Sequence, residues 1–466
     1  MIIKFLLLLL LLFYIYVYFM KFKSKSTCLT EVVLDNFQSV SSATATASST
    51  STGDIATNTI IHSDNLSFIS AYNLAYSTAA ELFPNKEDII IKDTKSSIEN
   101  DCIEYIYTFP QKIQLEEPFT LYYISTNINI NHIYQLIYKD NALSTFEPNI
   151  KLAEINNDNI ENTYLSNVTI DSKVNPNECF VSSNILPNSV YTIDINNGIY
   201  NVYLDNLSSG LQEPVGIEFD EFNNTYIANF FVSNIQVFNP KKELIDSITN
   251  PLFKNLGGLG FYKGNLYALN GFPIDDILSP YYGLFIMFKI VLIVDDNNNI
   301  IYDVQVFCTN TLNAPLFICF DKNDFGYVTN FNNNTISKIN MTTGEAEVYI
   351  DATQGLIGPR GIVIDQKSNL YVSSGDVSTQ IFVISKIDIN KTVTIYTTKN
   401  LNSPRGLALD DDENLYICNI GSLLIKIIRN KCIFHVSNNI LEKGDNLLTI
   451  KDITDNVIVE SFILTL

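Results

Sequence analysis

Short runs of alternating apolar and polar residues recur along most of the chain, and this period-two pattern predicts β-strands. Between residues 103 and 146, aromatic and β-branched runs at 103–109, 119–125 and 132–138 predict strands whose grouping the pattern leaves open. From Asn65 to Leu82 the apolar residues instead follow helical spacing, which predicts one amphipathic helix. Most of the remaining chain is therefore expected to be β-structure.

The C-terminal two-thirds of the chain contains a repeat of about 45 residues. Four copies align in register: Glu213-Pro-Val-Gly-Ile-Glu-Phe-Asp220, Ala314-Pro-Leu-Phe-Ile-Cys-Phe-Asp321, Gly358-Pro-Arg-Gly-Ile-Val-Ile-Asp365 and Ser403-Pro-Arg-Gly-Leu-Ala-Leu-Asp410. Six residues after each Asp stands Tyr226, Tyr327, Tyr371 or Tyr416, and nine residues after it stands Asn229, Asn330, Ser374 or Asn419. A fifth copy, from Gly257 to Asn270, lacks the Pro and the Asp, and a sixth, weaker copy begins at Val168.

Each copy has the pattern of four antiparallel strands. In the third aligned copy an inner strand ends at Asp365, a polar turn follows, and a second strand returns from Leu370. Runs typical of a third and an outer strand come next, at 380–387 and 392–397. Repeats of this length and pattern are typical of propeller blades that pack radially. The predicted fold is all-β: a six-bladed β-propeller of four-stranded antiparallel blades, with an N-terminal membrane helix and a small mixed N-terminal region.

The chain begins with a segment that predicts a membrane anchor. Residues 5–20 carry no charge and lie between Lys4 and Lys21. As a helix this segment spans roughly 24 Å, and the flanking lysines extend it toward the ~30 Å hydrocarbon core. The competing interpretation is a cleaved signal peptide. The expected localisation is single-pass in a membrane, in an orientation that the flanking lysines leave undetermined.

These patterns divide the chain into five regions. They are 1–26, a transmembrane anchor or uncleaved signal; 27–64, a flexible Ser/Thr-rich stalk; 65–164, a small helix plus β region; 165–438, the propeller; and 439–466, a β-hairpin. An insertion at 271–280 falls in the third blade and is interpreted as a lid or a partner-binding loop.

Charge and composition exclude several kinds of function. The 50 acidic and 29 basic residues give a formal net charge of −21, so no nucleic-acid partner is expected. The 7 Cys form no CxxC pair and only 3 His are present, which argues against a zinc cluster. The predicted propeller contains only His435, so catalysis by a histidine acid or base is not expected there. No catalytic residue is predicted.

The recurring Pro-x-Gly-(Ile/Leu)-x-(Ile/Leu)-Asp-x-x-x-Asn-Leu-Tyr-(Val/Ile) resembles the NHL-repeat family of six-bladed β-propellers. The gluconolactonase, regucalcin and streptogramin-lyase-like propellers are its relatives. The resemblance covers roughly residues 168–437 and is clearest in the last three copies. NHL units usually carry Asp after the second strand, where this chain has Asn or Ser, and that difference weakens the case for a charged-ligand site.

Loops that enter each blade and loops between its second and third strands are expected on one face, around the mouth of a central channel. The candidate ligand-binding residues on this face are Glu213, Asn184, Asn229, Asn270, Asn330, Asn419, Arg360 and Arg405. In the competing interpretation each Asn caps its own turn and each Arg pairs with a neighbouring acid.

The predicted function is a membrane-tethered binding or scaffold module for an unknown protein or small-molecule partner, without catalysis and without a cofactor. The alternative is a metal-dependent hydrolase that resembles regucalcin and gluconolactonase and uses the channel mouth. That resemblance implies a Ca²⁺ or Mg²⁺ ion held by Glu213 with Asn229, Asn270 or Asn330.

Overall fold

The computed structural model describes residues 28–33, 42–49, 55–61, 104–109, 118–125, 127–155, 164–184, 188–294, 300–421, 423–437 and 441–465. They fall into two compact units. The ring unit is Pro148–Arg429, and the terminal unit combines residues up to Glu147 with Asn430–Leu466.

The described part of the ring unit consists of four-stranded antiparallel sheets, numbered 1 to 6 along the chain. Sheet 1 contains Leu165–Thr169, Glu178–Ser183, Val190–Asp194 and Tyr200–Leu204; sheet 2 contains Pro214–Phe219, Thr225–Asn229, Asn234–Phe238 and Leu244–Ile248. Sheet 3 contains Leu256–Tyr262, Asn265–Asn270, Met287–Val294 and Ile300–Cys308; sheet 4 contains Pro315–Phe320, Phe325–Asn330, Thr335–Asn340 and Ala346–Ile350. Sheet 5 contains Ile362–Ile364, Leu370–Asp376, Ile381–Ile387 and Val393–Thr397; sheet 6 contains Pro404–Leu409, Leu415–Asn419, Leu423–Ile427 and Asn149–Glu154. The predicted four-stranded antiparallel sheets are confirmed.

The first strands of the six sheets touch one another in a closed circular order, with sheet 6 against sheet 1. Equivalent backbone positions meet at these contacts. A Cβ atom built on Gly361 would lie 2.1 Å from the Arg405 carbonyl oxygen, and one on Gly406 would lie 2.5 Å from the Asn167 Cα. Glycine is required where backbones approach so closely. The arrangement is consistent with a β-propeller, and the loops that enter the sheets share one side, called the entrance side.

Sheet 6 is completed by a strand from the beginning of the ring unit. Asn149–Glu154 pairs antiparallel with Leu423–Ile427 and becomes the outer strand of that sheet. This strand lies within the region 65–164, which precedes the repeats in the sequence. The first and last parts of the ring unit are therefore joined by backbone hydrogen bonds rather than by a covalent link.

A buried Asp–Tyr pair explains the six-residue spacing in the repeat. In sheet 2, Asp220 Oδ1 accepts hydrogen bonds from the backbone N–H groups of Phe222 and Asn224, at 2.9 and 2.8 Å. Its Oδ2 accepts from the Tyr226 hydroxyl at 3.1 Å. The equivalent Tyr–Asp bonds are Tyr327–Asp321 at 3.1 Å, Tyr371–Asp365 at 3.2 Å and Tyr416–Asp410 at 2.9 Å. Each carboxylate thus closes a polar turn and ties it to a buried ring.

The terminal unit is also built of antiparallel sheets. One joins Glu104–Phe109, Phe119–Ser125 and Lys431–Val436; a second joins Asn141–Phe146, Tyr134–Tyr138, Asp445–Asp452 and Val457–Thr465; a third joins Cys28–Val33, Ser42–Ser49 and Ile55–Ile61. The last two strands of the second sheet form a hairpin. Strands of the third sheet fall within the segment that the sequence assigns to a stalk.

The expected single-pass membrane localisation is corrected by the structure. Among the described residues, no helix is long and apolar enough to cross a bilayer. The α-helix in this part of the chain, Asn206–Ser209, has 4 residues, about 6 Å of the ~30 Å that a span requires. The segment 5–20 and the amphipathic helix predicted from Asn65 lie outside the described residues.

Replacing Tyr416 by Phe tests the Asp–Tyr pair. The hydroxyl of this fully buried ring donates to Asp410, so its removal is expected to lower the free energy of unfolding by about 1 kcal/mol. Urea denaturation at pH 7 measures the change. Tyr282→Phe is the matched control, since this side chain is 56% exposed. Equal urea midpoints for the two variants would contradict a stabilising role for the pair.

Candidate functional site

Four of the candidate asparagines are buried and hold the loop that enters their own sheet. Asn229, Asn270, Asn330 and Asn419 end the second strands of sheets 2, 3, 4 and 6, and each is 0% exposed. Each Oδ1 atom accepts a hydrogen bond from a backbone N–H 16 or 17 residues earlier: Gln212 at 2.9 Å, Lys254 at 2.9 Å, Asn313 at 3.0 Å and Asn402 at 3.1 Å. These contacts favour a structural role, with the entrance loop rather than the residue's own turn as the partner.

The Nδ2 atoms of the same asparagines are occupied as well. That of Asn229 donates to the Oδ1 of Asn234 and the Oε1 of Gln236, both at 2.9 Å. The others donate to Leu252 O at 2.7 Å from Asn270, to Ser337 Oγ at 2.8 Å from Asn330 and to Asn400 O at 3.0 Å from Asn419. Both ends of each amide are therefore used within the protein.

A Ca²⁺ or Mg²⁺ ion does not fit the residues that the regucalcin resemblance implies. Such ions take six or more oxygen ligands, and the Oδ1 atoms of Asn229, Asn270 and Asn330 face backbone N–H groups instead. Glu213 is half-buried, and its backbone carbonyl accepts from the Phe230 N–H at 3.0 Å. One carboxylate without free amide oxygens is an insufficient ligand set.

Within the described residues, the acidic and histidine side chains close enough to share a metal are His132, Asp452 and Asp455 of the terminal unit. Their atoms already bind one another: His132 Nδ1 lies 2.6 Å from Asp452 Oδ2, and its Nε2 lies 2.8 Å from Asn129 Nδ2. Asp452 Oδ1 accepts from the Thr454 N–H at 3.0 Å. We interpret the group as a structural contact that joins the turn at His132 to the turn that follows Asp452.

Arg360 and Arg405 are the candidate residues without a counter-ion. They occupy the same position in the entrances to sheets 5 and 6. Arg360 is 9% exposed and Arg405 is half-buried. Among the described residues neither forms an ion pair, and the Nη1 of Arg360 and the Nε of Arg405 are buried without a hydrogen-bond partner. The expectation that each would pair with a neighbouring acid is not met in this part of the structure.

Burial destabilises the charged form of both groups. Desolvation lowers the pKa of Arg360 to about 10, and the positive charge of Arg405 contributes to the shift. Desolvation also lowers the pKa of Arg405. A further buried arginine, Arg429, has the opposite environment: its Nη2 donates to Asp365 at 3.2 Å and to the Tyr371 hydroxyl at 2.8 Å. An arginine paired with an acid therefore occurs in the same ring unit.

Neutral polar groups accompany the two arginines. Asn184, with its amide oriented to satisfy its neighbours, accepts from Arg405 Nη1 at 3.2 Å and donates to the Tyr164 carbonyl at 3.2 Å. The hydroxyls of Ser374 and Ser403 are buried without a partner in the described residues. Ser374 occupies the position at which four other sheets have the buried Asn. That departure in the aligned repeat is the sequence signal that points to sheet 5.

No protein-family model and no curated protein matches this chain. Solved structures with a similar fold include a gluconolactonase from Xanthomonas campestris, at 13% identity and a TM-score of 0.46, covering 60% of this chain and 88% of that chain. Regucalcin, a calcium-binding protein from Agrobacterium tumefaciens, has 13% identity and a TM-score of 0.44, covering 63% and 95%. An inactive virginiamycin B lyase from Staphylococcus aureus has 14% identity and a TM-score of 0.41, covering 72% and 99%.

These structures are 13–14% identical to this chain, with TM-scores of 0.41 to 0.46. The neighbours are propellers of the gluconolactonase, regucalcin and lyase kinds, which are the relatives that the repeat resembles. The narrower NHL-repeat name stays a prediction. At this level of identity, the contacts of this chain's own residues decide what each can do.

A carboxyl group that the sequence did not single out lies on the first strand of sheet 2. Glu218 is half-buried. Burial raises its pKa to about 8, and the negative charge of Asp171 adds to the shift. Perturbed carboxyl groups of this kind occur at functional sites and at purely structural positions alike. The alternating pattern of the strand carries no signal for this position.

Glu218→Gln is expected to change the pH dependence of stability. The folded-state pKa of about 8 lies above the ordinary value of 4.5, so the folded protein holds the proton more tightly than the unfolded chain does. Stability linked to Glu218 is present below the ordinary pKa and is lost as the pH rises through about 8. Urea midpoints between pH 5 and 8.5 should therefore fall less for the variant than for the natural protein. Glu221→Gln, at an exposed position, serves as control, and parallel curves for Glu218→Gln would overturn the expectation.

Asn330→Asp is expected to destabilise sheet 4. The new carboxylate has no N–H group to offer Thr335 and Ser337, and it places a charge at a position that is 0% exposed. A loss of about 2–4 kcal/mol in the free energy of unfolding is expected. Asn332→Asp, on the exposed loop that follows, makes the same charge change and should cost less than about 0.5 kcal/mol. Similar losses for both variants would indicate a general charge effect.

Proposed function

We propose that the ring unit is a six-bladed, NHL-like propeller that binds a small organic anion on its entrance side, with the guanidinium groups of Arg360 and Arg405 as recognition groups. The observation that supports the proposal is the burial of these two cations without a counter-ion in the described residues. This proposal gives the small-molecule binding module predicted from the sequence a negatively charged ligand and a binding position at the two arginines.

The energetics favour a ligand as the missing counter-ion. An uncompensated buried charge costs several kcal/mol, and the repulsion between two neighbouring guanidinium groups adds to that cost. The chain has 50 acidic residues, and Arg429 is paired with one of them at 3.2 Å. Since Arg360 and Arg405 remain unpaired among so many carboxylates, a bound anion is the simplest group that completes the arrangement.

The donor geometry of arginine suits a carboxylate. Its planar fork presents parallel N–H groups that match two carboxylate oxygens. Backbone contacts hold the main chain of both residues: Arg360 N–H donates to Ser373 O at 2.8 Å, and the Ser373 hydroxyl donates to Arg405 O. Ser373 therefore links the two entrances, and the ligand would meet a preorganised pair.

The metal-dependent hydrolase remains a second and weaker proposal. It needs a set of oxygen ligands around Glu213, and the neighbouring asparagine oxygens are occupied by backbone N–H groups. Calcium titration by calorimetry separates the two functions. Binding of Ca²⁺ that is abolished in Glu213→Gln would favour the hydrolase over the anion-binding module.

Anion binding is tested with the full chain by thermal unfolding and calorimetry. Sodium acetate and longer carboxylates are compared with the corresponding amides, which carry no charge. Carboxylates are expected to raise the unfolding midpoint of the natural protein, and Arg360→Gln and Arg405→Gln are each expected to weaken binding at least about tenfold, because a charge-assisted pair contributes about 1.5–3 kcal/mol.

Two controls keep this test informative. Lys322→Gln removes an exposed positive charge from a turn between the first two strands of sheet 4 and should leave binding unchanged. Without ligand, Arg360→Gln should unfold at the same or a higher temperature than the natural protein, since it removes an unpaired buried charge. The proposal fails if no carboxylate shifts the midpoint, or if both arginine variants bind as the natural protein does.

A further inference from the structure

The entrance side carries exposed apolar side chains from several sheets. Phe231 and Phe272 follow the second strands of sheets 2 and 3, Leu278 and Tyr282 lie in the long loop of sheet 3, and Ile357 enters sheet 5. Their exposed fractions range from 53% at Phe272 and Ile357 to 89% at Leu278. These residues share the side of the ring from which the chain enters its sheets, and exposed apolar surface on a folded protein marks interaction sites when it is extensive.

The opposite side of the ring has a different character. Its turns between first and second strands read Asp-Lys-Asn-Asp in sheet 4, Asp-Gln-Lys-Ser-Asn in sheet 5 and Asp-Asp-Asp-Glu-Asn in sheet 6. The carboxylates and amides of these turns bind backbone N–H groups, as Asp321 and Asp410 do. In the described turns of that side, exposed large apolar side chains also occur: Ile199 at 63%, Phe222 at 66% and Ile389 at 71%. Among the described loops, more of the exposed large apolar side chains lie on the side where Arg360 and Arg405 enter their sheets.

Phe331 connects the apolar residues to the cationic pair. It follows the second strand of sheet 4 and is 36% exposed. The Arg360 guanidinium carbon lies 5.2 Å from the centre of its ring, within the range of a cation–π contact. A molecule bound to Arg360 would therefore meet an aromatic face next to the charge.

The long loop of sheet 3 is held in place by its base, while its tip projects outward. Ile274 is 2% exposed and forms a bridge with Tyr282. Asp275 forms a salt bridge with Lys254 at 2.8 Å. Ile277 and Leu278, at the tip, are 76% and 89% exposed. A tethered loop with an apolar tip offers a surface for the body of a ligand at low ordering cost.

We propose, as an extension of the function proposed above and dependent on it, that the ligand is an amphiphilic monocarboxylate. Its carboxylate would bind Arg360 and Arg405, and its aliphatic or aromatic body would cover the apolar residues of the entrance side. A monocarboxylate brings a single negative charge to a chain whose net charge is −21, so long-range repulsion is smaller for it than for a polyphosphate or a nucleic acid.

The test is a homologous series of carboxylates measured by calorimetry on the full chain. Acetate, butanoate, hexanoate and octanoate, each below its micelle concentration, are compared with octanamide and with inorganic phosphate. Affinity is expected to rise about threefold to fourfold with each added methylene group that contacts the apolar residues. Octanamide and inorganic phosphate are expected to bind at least about tenfold more weakly than octanoate, because octanamide lacks the negative charge and phosphate lacks the apolar body.

Variants test whether the carboxylate of the ligand binds the arginines and whether its apolar body contacts the apolar residues of the entrance side. Phe272→Ser combined with Leu278→Ser should weaken octanoate binding about tenfold and leave acetate binding unchanged. Arg360→Gln should weaken both. Phe222→Ser, at an exposed position on the opposite side, is the matched control and should change neither affinity.

Each outcome separates this inference from the function on which it depends. Equal affinity for acetate and octanoate, with loss of both in Arg360→Gln, would overturn the amphiphile and leave the anion site standing. Octanamide binding as tightly as octanoate would overturn both. Binding of a peptide carboxyl terminus without binding of octanoate would overturn the small-molecule ligand in favour of a protein partner.

Discussion

Buried polar side chains that each bind two parts of a sheet are the interactions on which this structure depends. The Asp–Tyr pair fixes the turn after the first strand in sheets 2, 4, 5 and 6. A buried Asn fixes the loop that enters sheets 2, 3, 4 and 6. Both sets lie where water is excluded, so an unmade bond there costs more than a made bond contributes. In sheets 2, 3, 5 and 6 the first strand meets a neighbouring strand at an equivalent glycine, which is Gly216, Gly258, Gly361 or Gly406.

The general pairing of buried polar groups makes the few unpaired ones conspicuous. The ring unit pairs the buried polar groups of Asp220 and Asn229, yet it leaves Arg360 Nη1, Arg405 Nε and the hydroxyls of Ser374 and Ser403 without partners in the described residues. These groups belong to two adjacent sheets, and Asn188 Oδ1, after the second strand of sheet 1, is a further buried atom without a partner in the described residues. Such groups are exceptional, because buried polar groups in folded proteins nearly always find partners. Sites that bind ligands commonly sacrifice some stability of the free protein in this way.

Much of the fold follows from the local pattern, and the site follows from it only in part. The alternating runs, the Pro-x-Gly entrances and the Asp-to-Tyr spacing predict hairpins because each of these signals acts over fewer than ten residues. The repeat spacing singles out Asn330 but does not identify its hydrogen-bond partner, the Asn313 N–H. The sequence alone therefore could not distinguish a ligand-binding Asn from a structural one. The sequence predicts Arg360 and Arg405 as candidate ligand-binding residues. Their lack of counter-ions depends on which side chains the fold places beside them, and the sequence does not show this. Glu218 and the pairing of Asn149–Glu154 have no local signal at all.

That pairing has a consequence for how the protein is made. Leu423 and Glu154 are neighbours in sheet 6 although 269 residues separate them. At a synthesis rate of about 5–20 residues per second, the early strand waits roughly 15 to 55 s before its partner is made. Until then sheet 1 has no sheet 6 beside it, and the ring remains an open arc on the ribosome. Closure over such a distance is slow relative to hairpin formation, so the newly made chain is exposed to proteases and to strand exchange with other copies mainly at this last joint.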